Sequence, residues 1–132
     1  MDRCPKVIAV DFGGTLCDTE THEIGEAHEE VIQWVKMRKA LGDKIILWTC
    51  RTGEKLTDAI LWCEKRGLRF DAVNENIPEK IEEYGADCRK VYADIYVDNK
   101  CLPWNTIMKE IANEQEKLDE RFAAVIDILQ NN

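Results

Sequence analysis

Three polar clusters follow apolar, β-branched runs, and they are the residues of this chain best placed to do chemistry. Val7-Ile8-Ala9-Val10 reads as a buried strand that ends on Asp11 and breaks into Gly13-Gly14. Lys44-Ile45-Ile46-Leu47-Trp48-Thr49 reads as a second strand, followed by Cys50-Arg51. Val91 to Val97 reads as a later strand that ends on Asp98-Asn99. Open α/β sheets bind their ligands outside the carboxyl ends of the strands, so three such ends converging is worth more than any one. A threonine hydroxyl and the next backbone N–H, here those of Thr49 and Cys50, can together donate to a phosphate oxygen, and Arg51 adds a planar cation nearby.

The same residues resemble a known family. Asp11-Phe12-Gly13-Gly14-Thr15 is similar to the first motif, Asp-x-Asp-x-Thr, of the haloacid dehalogenase-like phosphohydrolases. Thr49 falls on the second motif, a Ser or Thr that binds the phosphoryl group. Asp94-Ile95-Tyr96-Val97-Asp98-Asn99-Lys100 resembles the fourth motif, and above all that of the 5′(3′)-deoxyribonucleotidase-like branch. The resemblance covers residues 6 to about 104. It implies a Mg²⁺-dependent phosphatase in which Asp11 attacks phosphorus and forms an aspartyl-phosphate. It further implies substrate binding by Thr49, Cys50 and Arg51, and a third-motif lysine, Lys90, with Lys80 in reserve. The metal would be held by Asp11, Asp98, Asn99 and the backbone carbonyl of Gly13. Asn99 stands where the family has a second acid. Mg²⁺ takes about six hard oxygens and keeps several waters, so two carboxylates and a carbonyl suffice.

One departure bears on the chemistry. The family's second motif-one aspartate is the general acid and base, and this chain has Gly13 there. Such catalysis is typically worth ~10²–10⁴-fold. The expectation is an impaired enzyme, slow on alkyl phosphates and prone to accumulate its phospho-enzyme. Asp18, Glu20 and Glu23 are the carboxylates near enough in sequence to substitute. The competing expectation is a catalytically inactive descendant that binds a phospholigand or a protein. A receiver-type phosphoacceptor fits less well, because receivers carry an acidic pair after the first strand.

The elements that must position these residues alternate along the chain. A helix is expected over Ile24–Leu41, with Ile24, Ala27, Val31, Trp34, Val35 and Arg38 inward. A second is expected over Glu54–Arg66, with Leu56, Ala59, Ile60 and Cys63 inward, then a short strand, Phe70–Val73. Pro78 opens a brief helix to Tyr84, since proline suits a first turn. A last helix runs over 105–130, after Pro103. This pattern predicts an α/β fold: a three-layer, Rossmann-like parallel sheet of about four strands with helices on both faces. About 30 residues separate Leu16 from the second strand and about 38 separate Arg51 from Lys90. Core elements use up both intervals, so no cap domain is expected. Ile111, Gln115, Leu118, Phe122, Val125 and Leu129 trace a heptad seam. Two readings stay open for it: packing on the chain's own sheet, or self-association into a homodimer.

Composition sets the outer bounds. At 132 residues, 45% hydrophobic and 33% charged, the chain reads as one soluble domain, 1–132. A net charge of −8 argues against general nucleic-acid or anionic-membrane binding, and leaves a phosphorylated small molecule or macromolecule as the expected partner. The densest basic run, Lys36-Met37-Arg38-Lys39, reads as a solvated helix face. Neither a transmembrane run nor a signal peptide is apparent, and a cytoplasmic location is the default. The six cysteines show no Cys-x-x-Cys spacing and read as free thiols, and His22 and His28 as surface residues.

Overall fold

The computed structural model describes residues 4–19, 23–114 and 127–130. The chain divides into two compact units, Met1–Asn99 and Lys100–Asn132.

The first unit carries β1 (Val7–Val10), α1 (Glu29–Ala40), β2 (Lys44–Leu47), α2 (Gly53–Lys65), β3 (Ala72–Val73), α3 (Pro78–Tyr84) and β4 (Ile95–Val97). All four strands are parallel, in the order β3-β2-β1-β4. This is the expected Rossmann-like α/β architecture. β1 is central and buried at every position, which is why it reads as an unbroken apolar run. Ile8, Val10, Ile45 and Leu47 pack on one face against Ile32 and Val35 of α1 and Ala59 and Cys63 of α2. Val7, Ala9, Ile46 and Ala72 pack on the other against Ile77 and Val91. That division follows from handedness. Right-handed crossovers carry β1 to β2 to β3 in one direction with α1 and α2 on one face, and the return to β4 runs over the other. The strand order therefore reverses between β1 and β4, where Asp11 and Asp98 emerge.

Element ends differ from the sequence expectation for a shared reason: side chains finish the ladders. β2 stops at Leu47 because the Thr49 N–H donates to Asn74 Oδ1 (2.8 Å) instead of to a strand carbonyl. β3 begins late because Asp71 Oδ2 accepts the Ile45 N–H at 2.8 Å. β4 begins at Ile95, not Val91, because Asp94 Oδ2 accepts the Val7 N–H (2.7 Å) and the Tyr92 N–H goes to Asn76 Oδ1 (2.7 Å). α1 starts at Glu29, not Ile24. Cys17 and Ala27 instead form an antiparallel bridge, and the Gly25 N–H donates to Asp18 O at 2.7 Å. Ile24 and Ala27 still pack on the core, but Ile32, which the expected inner face omitted, is fully buried.

The basic run of α1 is less free than expected. Lys36 Nζ donates to Arg66 O at 3.0 Å, Lys39 pairs with Asp71 at 3.2 Å, and Arg38 Nε meets the buried Asp43 at 2.6 Å. All six cysteines are free thiols. Burial pushes the Cys63 thiol up to about 12. No described helix is long and apolar enough to cross a membrane.

The second unit carries α4 (Trp104–Glu114) and a helical stretch at 127–130. Ile111 and Leu129 of the heptad seam are exposed, while Gln115, Leu118, Phe122 and Val125 lie outside the described residues.

Candidate functional site

A cavity of about 460 Å³ opens at the carboxyl ends of the strands, lined by Asp11, Trp48, Thr49, Cys50, Asn74, Arg89 and Asp98. Asp11 is held there by the sheet itself: its N–H donates to Val97 O at 2.9 Å, tying the end of β1 to the end of β4. Two carboxylates from adjacent strands thus face one space. Among the described residues no three acidic, histidine or cysteine groups cluster as a ready-made metal cage. The cavity's own oxygen donors are the two carboxylates; the Gly13 carbonyl, two residues past Asp11, accepts no hydrogen bond among the described residues and is the third oxygen the resemblance implies. Hard oxygens in that number suit Mg²⁺, which ordinarily fills its remaining positions with water.

The same cavity offers donors. Thr49 Oγ1 accepts the Arg51 N–H at 3.2 Å, which leaves its own proton for a ligand. The Cys50 N–H has no partner among the described residues. Arg89 brings the cation; its Nη1 reaches Asp87 Oδ1 at 3.1 Å and the Asn74 carbonyl at 3.4 Å. Its loop is braced from beneath by buried Asn76, whose backbone and side-chain N–H groups donate to Asp87 Oδ1 at 3.0 and 2.9 Å. Those bonds hold the Asp87 carboxyl below its ordinary range.

Of the residues expected from sequence, Asp11, Thr49, Cys50 and Asp98 converge on the cavity; Gly13 follows Asp11 by two residues and is not in its lining. Lys90 does not converge. It is exposed and lines a separate cavity of about 190 Å³ with Tyr84, Cys88, Tyr92 and Tyr96. Residues 86–94 are irregular, so neighbouring side chains diverge, and Arg89, itself exposed, lines the strand-end cavity where Lys90 does not. Lys80 pairs with Glu83 at 2.9 Å and stands 4.2 Å from the Tyr92 ring centroid. Arg51 lays its guanidinium over the Phe12 ring and donates to Lys55 O at 3.3 Å. Asn99 is turned to the motif-one loop: its N–H donates to Thr15 Oγ1 at 3.0 Å, and its Oδ1 stands 3.3 Å from the same hydroxyl. It braces the loop where a metal ligand was expected. Asp18, one of the carboxylates considered as a substitute acid, is 2.6 Å from His28 Nε2; Glu23 is exposed, and Glu20 and His22 lie outside the described residues.

Arg89 and Asn74 were not singled out by sequence. Arg89 was adjacent to the expected lysine, and the parity of an irregular loop is not readable from composition. Asn74 carried a faint signal, since Asn just after a strand is a turn residue that tolerates left-handed backbone.

A conserved protein from Bacteroides thetaiotaomicron, known as a solved structure, is similar to this chain with a TM-score of 0.66. The two are 35% identical over 85% of this chain and 93% of that one. The chain belongs to that protein's family. No family model matches the chain, and no curated protein matches it. Family membership at this identity carries the fold over nearly the whole of the relative's length, while the chemistry must be argued from the cavity.

His28 ties Thr15 and Asp18, which follow the Gly13-Gly14 turn, to the start of α1. Its Nδ1 is 2.9 Å from Thr15 O and its Nε2 is 2.6 Å from Asp18 Oδ1. Both partners accept only, so both ring nitrogens donate only when the imidazole is protonated. The bonds to Asp18 and then Thr15 raise its pKa above 6.5. A group raised on folding contributes stability that is complete below the unfolded pKa, near 6.5, and is lost as pH rises through the native value. Urea unfolding of wild type and His28→Ala at a series of pH values should show a stability gap that is widest below about pH 6.5. The gap should shrink above the raised native pKa, and a pH-independent gap would show that the ring acts by packing alone.

Proposed function

We propose that the chain is a Mg²⁺-dependent phosphatase of the haloacid dehalogenase-like type, acting on a phosphorylated small molecule or macromolecule. The observation that carries this reading is the cavity itself, where two strand-end carboxylates, Asp11 and Asp98, face a wall of donors. A phosphoryl group fits that polarity: its equatorial oxygens would accept from Thr49, Cys50 N–H and Arg89, with the Asp11 carboxylate in the same cavity to attack. Asp11 is the nucleophile, forming a bond to phosphorus as the bond to the leaving oxygen breaks. Asp98, Asp11 and the Gly13 carbonyl would hold Mg²⁺, which when bound neutralises charge on the phosphoryl oxygens. Arg89 takes the role the resemblance gave to Lys90. The departing oxygen must take its proton from solvent, because no side chain at position 13 can supply one. Hydrolysis of the aspartyl-phosphate then lacks an activated water, so the first half of the reaction outpaces the second.

Trapping with beryllium fluoride tests the nucleophile without requiring turnover. The expected result is Mg²⁺-dependent, saturable ¹⁹F signals of a bound acyl-phosphate mimic in wild type and none in Asp11→Asn. Equal signals from both proteins would remove Asp11 from the role. Absence of signal from wild type that binds Mg²⁺ would favour the binding-module reading, which Gly13 and the bracing role of Asn99 support.

A further inference from the structure

Asn74 belongs to none of the motifs, yet its backbone sets it apart in the cavity lining. It follows the last residue of β3, with φ of 54°, the one non-glycine residue with positive φ among the described residues. Left-handed backbone is unfavourable for L residues, and asparagine is among the few that tolerate it. Where such a residue borders a cavity, its strained backbone points towards a role there.

Its hydrogen bonds say which role. The Asn74 N–H donates to Leu47 O at 2.8 Å, and its carbonyl accepts from Arg89 Nη1 at 3.4 Å. Its Oδ1 accepts the Thr49 N–H at 2.8 Å. An N–H donor there fixes which end of the carboxamide is oxygen. The Nδ2 end is therefore the other one, and it has no partner among the described residues. Asn74 lines the cavity together with Asp11, Thr49 and Asp98. We propose that Asn74 is a substrate-binding residue whose carboxamide NH₂ donates to an oxygen of the bound phosphoryl group, beside the Thr49 hydroxyl and the Cys50 N–H. The inference rests on the reading of this cavity as a phosphoryl site. It also makes one unit of the donor wall, since the same residue fixes the Thr49 backbone and receives Arg89.

Asn74→Asp separates donation from scaffolding. Aspartate keeps an acceptor for the Thr49 N–H and tolerates the backbone, but replaces the donor with a charge that repels an anion. Wild type and Asn74→Asp, ¹⁵N-labelled and saturated with Mg²⁺, would be titrated with inorganic phosphate by NMR. In wild type, the Asn74 side-chain NH₂ signals should shift saturably and in step with the Thr49 amide. Asn74→Asp should lose about tenfold or more in phosphate affinity, in line with the strength of a charge-assisted hydrogen bond, with the Thr49 amide unmoved in the free protein. Wild-type NH₂ signals that stay fixed while Thr49 shifts would overturn the inference and leave the phosphoryl site standing without Asn74. No phosphate binding by wild type would overturn both. Should Asn74→Asp fail to fold, the wild-type side-chain signals decide alone.

Discussion

Gly13→Asp should raise turnover of p-nitrophenyl phosphate by about tenfold or more, within the ~10²–10⁴-fold range of general acid–base catalysis. The backbone at Gly13 needs no left-handed conformation, so an aspartate can occupy it. A Cβ built there would meet Thr19 Oγ1 at 3.0 Å and Thr19 Cγ2 at 3.1 Å, and the Thr19 side chain need give only a few tenths of an ångström. The neighbouring glycine behaves oppositely: Gly14 has φ of +83° and its Cβ would come within 2.7 Å of the Asn99 amide, so the loop accepts a side chain at one of the two positions only. p-Nitrophenolate leaves without much help, so most of the gain should come from hydrolysis of the aspartyl-phosphate. A shorter phospho-enzyme lifetime in Gly13→Asp, measured by acid quench, would locate the gain there. Asp18 is occupied with His28, which weakens the case for it as a native substitute. No gain in a folded variant that binds Mg²⁺ would mean that another group already supplies the proton, or that the cavity binds without turning over.

The sequence disclosed the residues that chemistry needs at strand ends better than it disclosed the ends themselves. Asp11, Thr49 and Asp98 were legible because each follows a β-branched run, and a parallel sheet brings such positions to one edge. The bounds of β2, β3 and β4 were not, because Asn74, Asp71 and Asp94 each offer a side-chain oxygen where a backbone carbonyl was expected. Apolar periodicity cannot see that exchange. Lys90 and Arg89 were indistinguishable for a different reason. Alternation assigns faces only inside a regular strand, and the strand starts at Ile95. The helix α1 was recognised but begun too early, since Ile24 and Ala27 pack on the core from the loop and mimic a continued helical face. Arg89 and Asn74 thus entered the site through irregular backbone, where tertiary hydrogen bonds, not pattern, decide direction.

Asp43→Ala should destabilise the protein by about 3 kcal/mol or more, the usual cost of removing one partner from a buried ion pair. In sequence Asp43 is only the residue before the second apolar run; in the fold it joins three segments. Its side chain is fully buried, with Oδ1 accepting the Lys6 N–H at 2.8 Å and Oδ2 accepting from Arg38 Nε at 2.6 Å. Its own N–H donates to Arg38 O at 3.1 Å, closing the turn between α1 and β2. Alanine would leave the Lys6 N–H, at the entry to the central strand, without its acceptor and the Arg38 guanidinium without its counter-charge. Arg38 is 18% exposed and stacks 5.4 Å from the Trp34 ring centroid, so it can relax in part toward solvent, which places the loss at the lower end of the usual ~3–5 kcal/mol. Domains of this kind have roughly 5–15 kcal/mol in all, so the variant should unfold at markedly lower urea and temperature. Asp43→Asn should fall between the two proteins, because its carbonyl still serves Lys6 while its amide faces Arg38 with a donor. A loss under about 1 kcal/mol for Asp43→Ala, with an unchanged urea m-value, would place this pair among the solvent-relaxed ones that add little to stability.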